Sequence, residues 1–193
     1  GPAYPFNALG PFLKLRDPNG WPNFVGWICN PNYGWEIPWG GGAQTRRNLD
    51  VKAHEVEIEL FNSAGAKFVA GGRRLRALAD ELEGPRRDHA RREAGIVEYI
   101  GRCFLTCANV KAAALAERVV TDERASESAK SAAKAEIRRL AALEYENTAA
   151  ALPLVEADSR LGWECKNGYM GGRERIVWKL RQMEERYGVG KVK

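Results

Sequence analysis

The stretch Asn30-Pro31-Asn32-Tyr33-Gly34-Trp35-Glu36-Ile37-Pro38-Trp39 sets one carboxylate between two tryptophans, beside a tyrosine and two asparagines. Indole and phenol rings stack on the apolar C–H faces of sugar rings, while amides and carboxylates bond the hydroxyls at the ring edge. Trp35, Trp39 and Tyr33 are therefore candidate stacking residues, and Glu36 is the candidate hydroxyl-binding group. Trp21 and Trp27, upstream, are the candidate supports of that platform. A carboxylate desolvated by large rings holds its proton more tightly, as a general acid requires. A competing reading needs no ligand: the same rings staple a segment without regular structure to the rest of the molecule.

A second concentration of functional groups runs through Leu154-Val155-Glu156-Ala157-Asp158-Ser159-Arg160-Leu161-Gly162-Trp163-Glu164, followed by Tyr169. Glu156, Asp158 and Glu164 offer candidates for the carboxylate pair of a glycoside hydrolase. The alternative is structural, with Asp158 and Arg160 organising a helix end and Trp163 packing on the last helix. Metal catalysis is not expected. His54 and His89 are the only histidines, and neither lies in an HExxH pattern. No Gly-rich phosphate loop and no GxSxG elbow is present, so no cofactor is predicted. Cys103 and Cys107 lie four apart, on one face of a predicted helix, and are expected to be buried free thiols.

The elements that would carry these groups divide the chain in two. Residues 1–47 hold nine of the eighteen aromatic residues and seven of the nine prolines. That proline density excludes a long helix and discourages central strands. Phe12 to Leu15 and Phe24 to Ile28 are candidate short strands in an otherwise irregular, aromatic-rich N-terminal arm.

Residues 48–193 read as a helical bundle. Asn48 or Asp50 caps a first helix, whose apolar stripe includes Val56, Leu60, Phe61, Ala64 and Phe68. Gly71-Gly72 is expected to end or kink it, and Gly84-Pro85 to close it. A second helix is predicted from about Arg86 to Val120, then a turn at Thr121-Asp122 that supplies the next N-cap. A third, Ala-rich helix runs from about Glu123 to Ala151, where Pro153 should stop it. A Gly-interrupted linker leads to a fourth over Arg173 to Tyr187. Long helices joined by short turns pack antiparallel, so the expected fold is all-α, an up-down bundle of about four helices.

Composition limits the partners. The net charge is +5, but Arg73, Arg74 and Arg76 are followed by Asp80, Glu81 and Glu83, an interleaving typical of a solvated face. A nucleic-acid groove is disfavoured further because the aromatic arm is poor in Lys and Arg before Arg46. No apolar run approaches the roughly 18 residues of a membrane span, so no membrane partner is expected.

The segment from Ala149 to Glu184, with LPLVEADSRLGWE, Tyr169 and RIVWKLRQME, resembles the helical C-terminal region of large bacterial carbohydrate-active proteins. These are alpha-glucuronidase-like or N-acetylglucosaminidase-like hydrolases. The resemblance covers between a fifth and a half of the chain and brings no catalytic motif with it. It implies a helical region that packs against a catalytic barrel and helps to shape the rim of its active site. A barrel needs about 250 residues, more than the 193 present. The expectation is therefore a helical accessory region or fragment of a glycan-processing protein. A glycan or oligosaccharide would be its ligand, and a missing catalytic domain or partner chain its neighbour. The rival is a structural or protein-interaction bundle with no small-molecule ligand.

Overall fold

A computed structural model describes residues 51–161, 163–164, 168–169 and 172–190. They form an all-α, up-down bundle: α1 (Val51–Ala79), α2 (Gly84–Thr121), α3 (Glu127–Ala157) and α4 (Arg173–Tyr187). Between α3 and α4, the two-residue strands β1 (Trp163–Glu164) and β2 (Gly168–Tyr169) pair antiparallel, with Trp163 opposite Tyr169. The predicted arm, residues 1–47, and its two candidate strands lie outside the described residues, as does the predicted cap at Asn48 or Asp50.

Gly71-Gly72 does not interrupt α1, contrary to expectation. Gly72 serves packing instead of breaking. A Cβ there would lie 2.7 Å from the backbone nitrogen of Glu98 and 2.9 Å from the carbonyl oxygen of Ala94. Gly65 is equally crowded, its missing Cβ falling 2.9 Å from the Gly101 carbonyl oxygen. Gly101 reciprocates from α2, with a would-be contact of 2.7 Å to the Val69 nitrogen. Three glycines thus let two helix backbones meet without side chains between them, and contact of that closeness offsets their poor helix propensity. Phe104 of α2 adds ring contacts to Phe61 and Phe68 of α1, at centroid separations of 5.8 and 5.7 Å.

Three boundaries also differ from expectation. α1 ends at Ala79, and Gly84-Pro85 opens α2 instead of closing α1. Proline fits the first helical turn because its missing N–H would have had no partner there. The N-cap of α3 is Ser126, whose Oγ accepts from the Ala129 N–H at 3.2 Å. Asp122 is the C-cap of α2, and its carboxylate accepts from the Arg124 N–H. Finally, α3 continues through Pro153 to Ala157. Proline here forfeits one backbone hydrogen bond, but it points outward while Leu154 and Val155 are buried, and their burial favours continuing the helix. α4 spans the predicted residues and stops at Gly188, which adopts the left-handed φ of 66° that a helix C-terminus favours.

The core lies among α2, α3 and α4. One cluster joins Cys107, Val110, Leu140 and Met183; the other joins Tyr99, Cys103, Leu154, Ile176 and Leu180. Cys103 and Cys107 are free, buried thiols. No helix among the described residues is long and apolar enough to cross a membrane.

Candidate functional site

Polar side chains run along the core faces of these helices. Glu144 of α3 and Lys179 of α4 are both 0% exposed, and the Lys179 ammonium donates to Glu144 Oε1. Oε1 also accepts from Thr106 Oγ1 at 2.8 Å and from Thr148 Oγ1 at 3.1 Å. Oε2 accepts from Asn109 Nδ2 at 2.9 Å. A bare carboxylate in this setting costs several kcal/mol (order of magnitude); one ammonium and three neutral donors replace its lost water.

The seam continues toward one end of the bundle. Asn147 Nδ2 donates to Thr106 Oγ1 and to the Arg102 carbonyl, each at 2.9 Å. The Arg102 guanidinium reaches Asn147 Oδ1 at 3.5 Å and Glu98 Oε1 at 2.5 Å. Arg76 of α1 donates to the other Glu98 oxygen at 3.3 Å. Elsewhere, Lys111 of α2 is tied to Glu57 of α1. Its pKa is nevertheless lowered, because burial outweighs the bond to Glu57.

The seam's two cysteines are poor nucleophiles. Burial, reinforced by the Glu144 charge, pushes Cys107 to about 12. Burial raises Cys103 well above its ordinary value too, with Cys107 and Glu144 adding to the effect. Thiolate is the reactive form, so both stay inert in the folded protein. The closed, saturated hydrogen bonding around Glu144 suits the fixing of helix register more than turnover of a substrate.

At the Glu98 end the seam meets solvent through a cleft of about 350 Å³ between the C-terminal part of α1, the first turns of α2 and the end of α3. Arg76, Arg91 and Arg92 line it, with Glu98 and Asp158. Asp158 caps α3, and its carboxylate accepts from the Arg160 backbone N–H at 3.0 Å. The Arg160 guanidinium binds it in a fork, with contacts of 2.9 and 2.6 Å. That side-chain bond holds Asp158 below the usual aspartate range, with the Arg160 and Arg92 charges assisting.

Of the sequence candidates, Asp158 and Arg160 organise the helix end, as the structural alternative expected. Glu156 is exposed and accepts from Arg173 at 2.8 Å, so both carboxylates on this turn are neutralised by arginines. The side chains of Trp163, Glu164 and Tyr169 lie outside the described residues, as do Trp21, Trp27, Tyr33, Trp35, Glu36 and Trp39. Among the described residues no cluster of three His, Cys, Asp or Glu side chains is placed to hold a metal ion.

Sequence reasoning missed Glu144, Asn147, Thr148 and Lys179, although the signal was present. Glu144, Asn147 and Thr148 share the helical stripe of Leu140, Ala141 and Ala151, and Lys179 shares that of Ile176, Leu180 and Met183. No protein-family model, curated protein or solved structure matches this chain.

Proposed function

We propose that this chain is a helical accessory region of a glycan-processing protein, with its aromatic N-terminal arm contributing to carbohydrate binding. The observation that carries the proposal is that α1, besides the face it buries against α2, leaves large apolar side chains uncovered among the described residues. Gly65, Gly72 and Ala79 face α2 and are buried. On the opposite side Val56, Leu60 and Leu78 stand more than half exposed, at 55, 63 and 51%. Val56 and Leu60, one turn apart, make a small exposed apolar patch, with Leu78 separate from it beyond Lys67 and Arg74. Exposed apolar side chains of this kind suit contact with another molecule or domain. In this reading they meet the catalytic portion.

The ligand assignment rests on the sequence. Tyr33, Trp35 and Trp39 stack on sugar rings, Glu36 bonds hydroxyls, and Trp21 and Trp27 brace the platform. The resemblance of residues 149–184 to helical regions of carbohydrate-active hydrolases supports the same class. A second reading, a protein-interaction bundle without a small ligand, draws on these exposed α1 side chains alone. A glycan-array screen of the chain and its Trp35→Ala/Trp39→Ala variant separates the two, because only the first reading predicts sugar binding that the double variant loses.

A further inference from the structure

We propose that the cleft bounded by Arg76, Arg91, Arg92 and Gly95 binds a small organic anion, a carboxylate or phosphate carried on an apolar body. This inference is independent of the glycan reading, since it uses no residue of the arm.

Charge is the first argument. Arg92 lines the cleft, and no hydrogen bond or ion pair is seen for it among the described residues; its charge helps to hold Asp158 ionised. A guanidinium carries five N–H donors. Arg76 commits one group to a 3.3 Å contact with Glu98, and Arg91 commits Nε and one terminal nitrogen to Asp80. Both therefore keep donors for a ligand. The two lining carboxylates are already neutralised, Glu98 by Arg102 and Arg76, Asp158 by Arg160. Counting Arg73 beside Glu98, with Asp80 and Glu93 at the periphery, six guanidiniums face four carboxylates. The field inside is positive.

Shape is the second argument. Gly95 is buried, yet apart from its chain neighbours and its own helix backbone no atom lies within 4 Å of where its Cβ would stand. This is the reverse of Gly72 and Gly101, whose missing Cβ atoms make room for a neighbouring helix. At Gly95 the room belongs to the cleft, which reaches down to the α2 backbone. Ala150, Pro153, Leu154 and Ala157 form the facing wall, without a charge among them.

An arginine fork presents paired N–H groups matched to a planar carboxylate or to two phosphate oxygens. The α3 wall would take an apolar body, which a bare inorganic ion lacks. The volume of about 350 Å³ is at the lower end of small-molecule sites, roughly 300–1,000 Å³. It suits a compact ligand.

The test is calorimetric titration of the full chain at low ionic strength with benzoate, phenyl phosphate and the uncharged benzyl alcohol. The proposal expects saturable binding of benzoate or phenyl phosphate at a single site, and the better of the two identifies the head group. It expects no saturation by benzyl alcohol. Arg92→Ala should weaken the binding about tenfold, the loss of one charge-assisted contact. Gly95→Leu should remove it by filling the cleft. Arg124→Ala, at the opposite end of the bundle, should bind as the parent does. Arg92→Ala keeps the test decisive even where Gly95→Leu disturbs folding, because Arg92 is exposed and makes no hydrogen bond or ion pair among the described residues. Failure of both anions to bind, equal binding of benzyl alcohol, or parental affinity in Arg92→Ala would each overturn the proposal.

Discussion

The Lys179 ammonium rests on Glu144 where neither side chain has any contact with solvent. Three neutral donors complete the carboxylate's shell, from Thr106, Asn109 and Thr148. A pair so enclosed adds little net stability compared with well-packed apolar residues, yet removing one partner strands the other. Lys179→Met should therefore lower the unfolding free energy by about 3–5 kcal/mol, measured by urea denaturation. A loss below about 1 kcal/mol would show that Glu144 finds water or a proton and that the seam is open to solvent.

Adjacent glycines in α1 should respond with opposite signs to the same substitution. Gly71 is exposed, with nothing within 4 Å of its would-be Cβ. Gly71→Ala should stabilise by about 0.5–1 kcal/mol through helix propensity. Gly72→Ala must push α2 back, because the obstacles are the Glu98 nitrogen and the Ala94 carbonyl, which are backbone and cannot rotate away. It should destabilise by about 1–3 kcal/mol. Thermal melts of the two variants side by side decide the matter, and a shift of the same sign in both contradicts the packing account.

Cys103 and Cys107 should resist thiol reagents in the native state. With Cys107 held at about 12, on the order of one molecule in ten thousand carries its thiolate at pH 8. Two thiols should therefore stay unlabelled by a disulfide-exchange reagent until denaturant is added. Prompt native labelling of either, located by mass spectrometry, would mean that the α2–α3–α4 core opens readily.

The helices were legible because apolar side chains recur at three and four residues, and α4 was read with its observed ends. Glycine and proline misled at Gly71-Gly72 and Pro153. Their local meaning is a break, while their tertiary meaning depends on which surface they face. Gly72 faces a backbone and is needed there. Pro153 faces out, where losing one hydrogen bond matters less than burying Leu154 and Val155. The polar seam escaped for a related reason. Glu144 lies on the stripe of Leu140, Ala141 and Ala151, and the partner that makes its burial tolerable, Lys179, is 35 residues on, in the next helix, where no local spacing points to it. The cleft needed three helices in place before Arg76, Arg92 and Asp158 became neighbours. No spacing in the sequence announces that.

A chain that serves a glycan-processing protein in the way proposed must bind carbohydrate through its aromatic arm. The most direct measurement is a glycan-array screen, with any hit titrated by intrinsic tryptophan fluorescence in the parent chain and in Trp35→Ala/Trp39→Ala. Carbohydrate binding through the arm predicts a saturable shift with at least one glycan, lost in the double variant while the helical circular dichroism is unchanged. No binding across the array, with parent fluorescence already blue-shifted, would contradict it: the tryptophans would then be buried as packing, and the chain would be a structural or protein-interaction bundle.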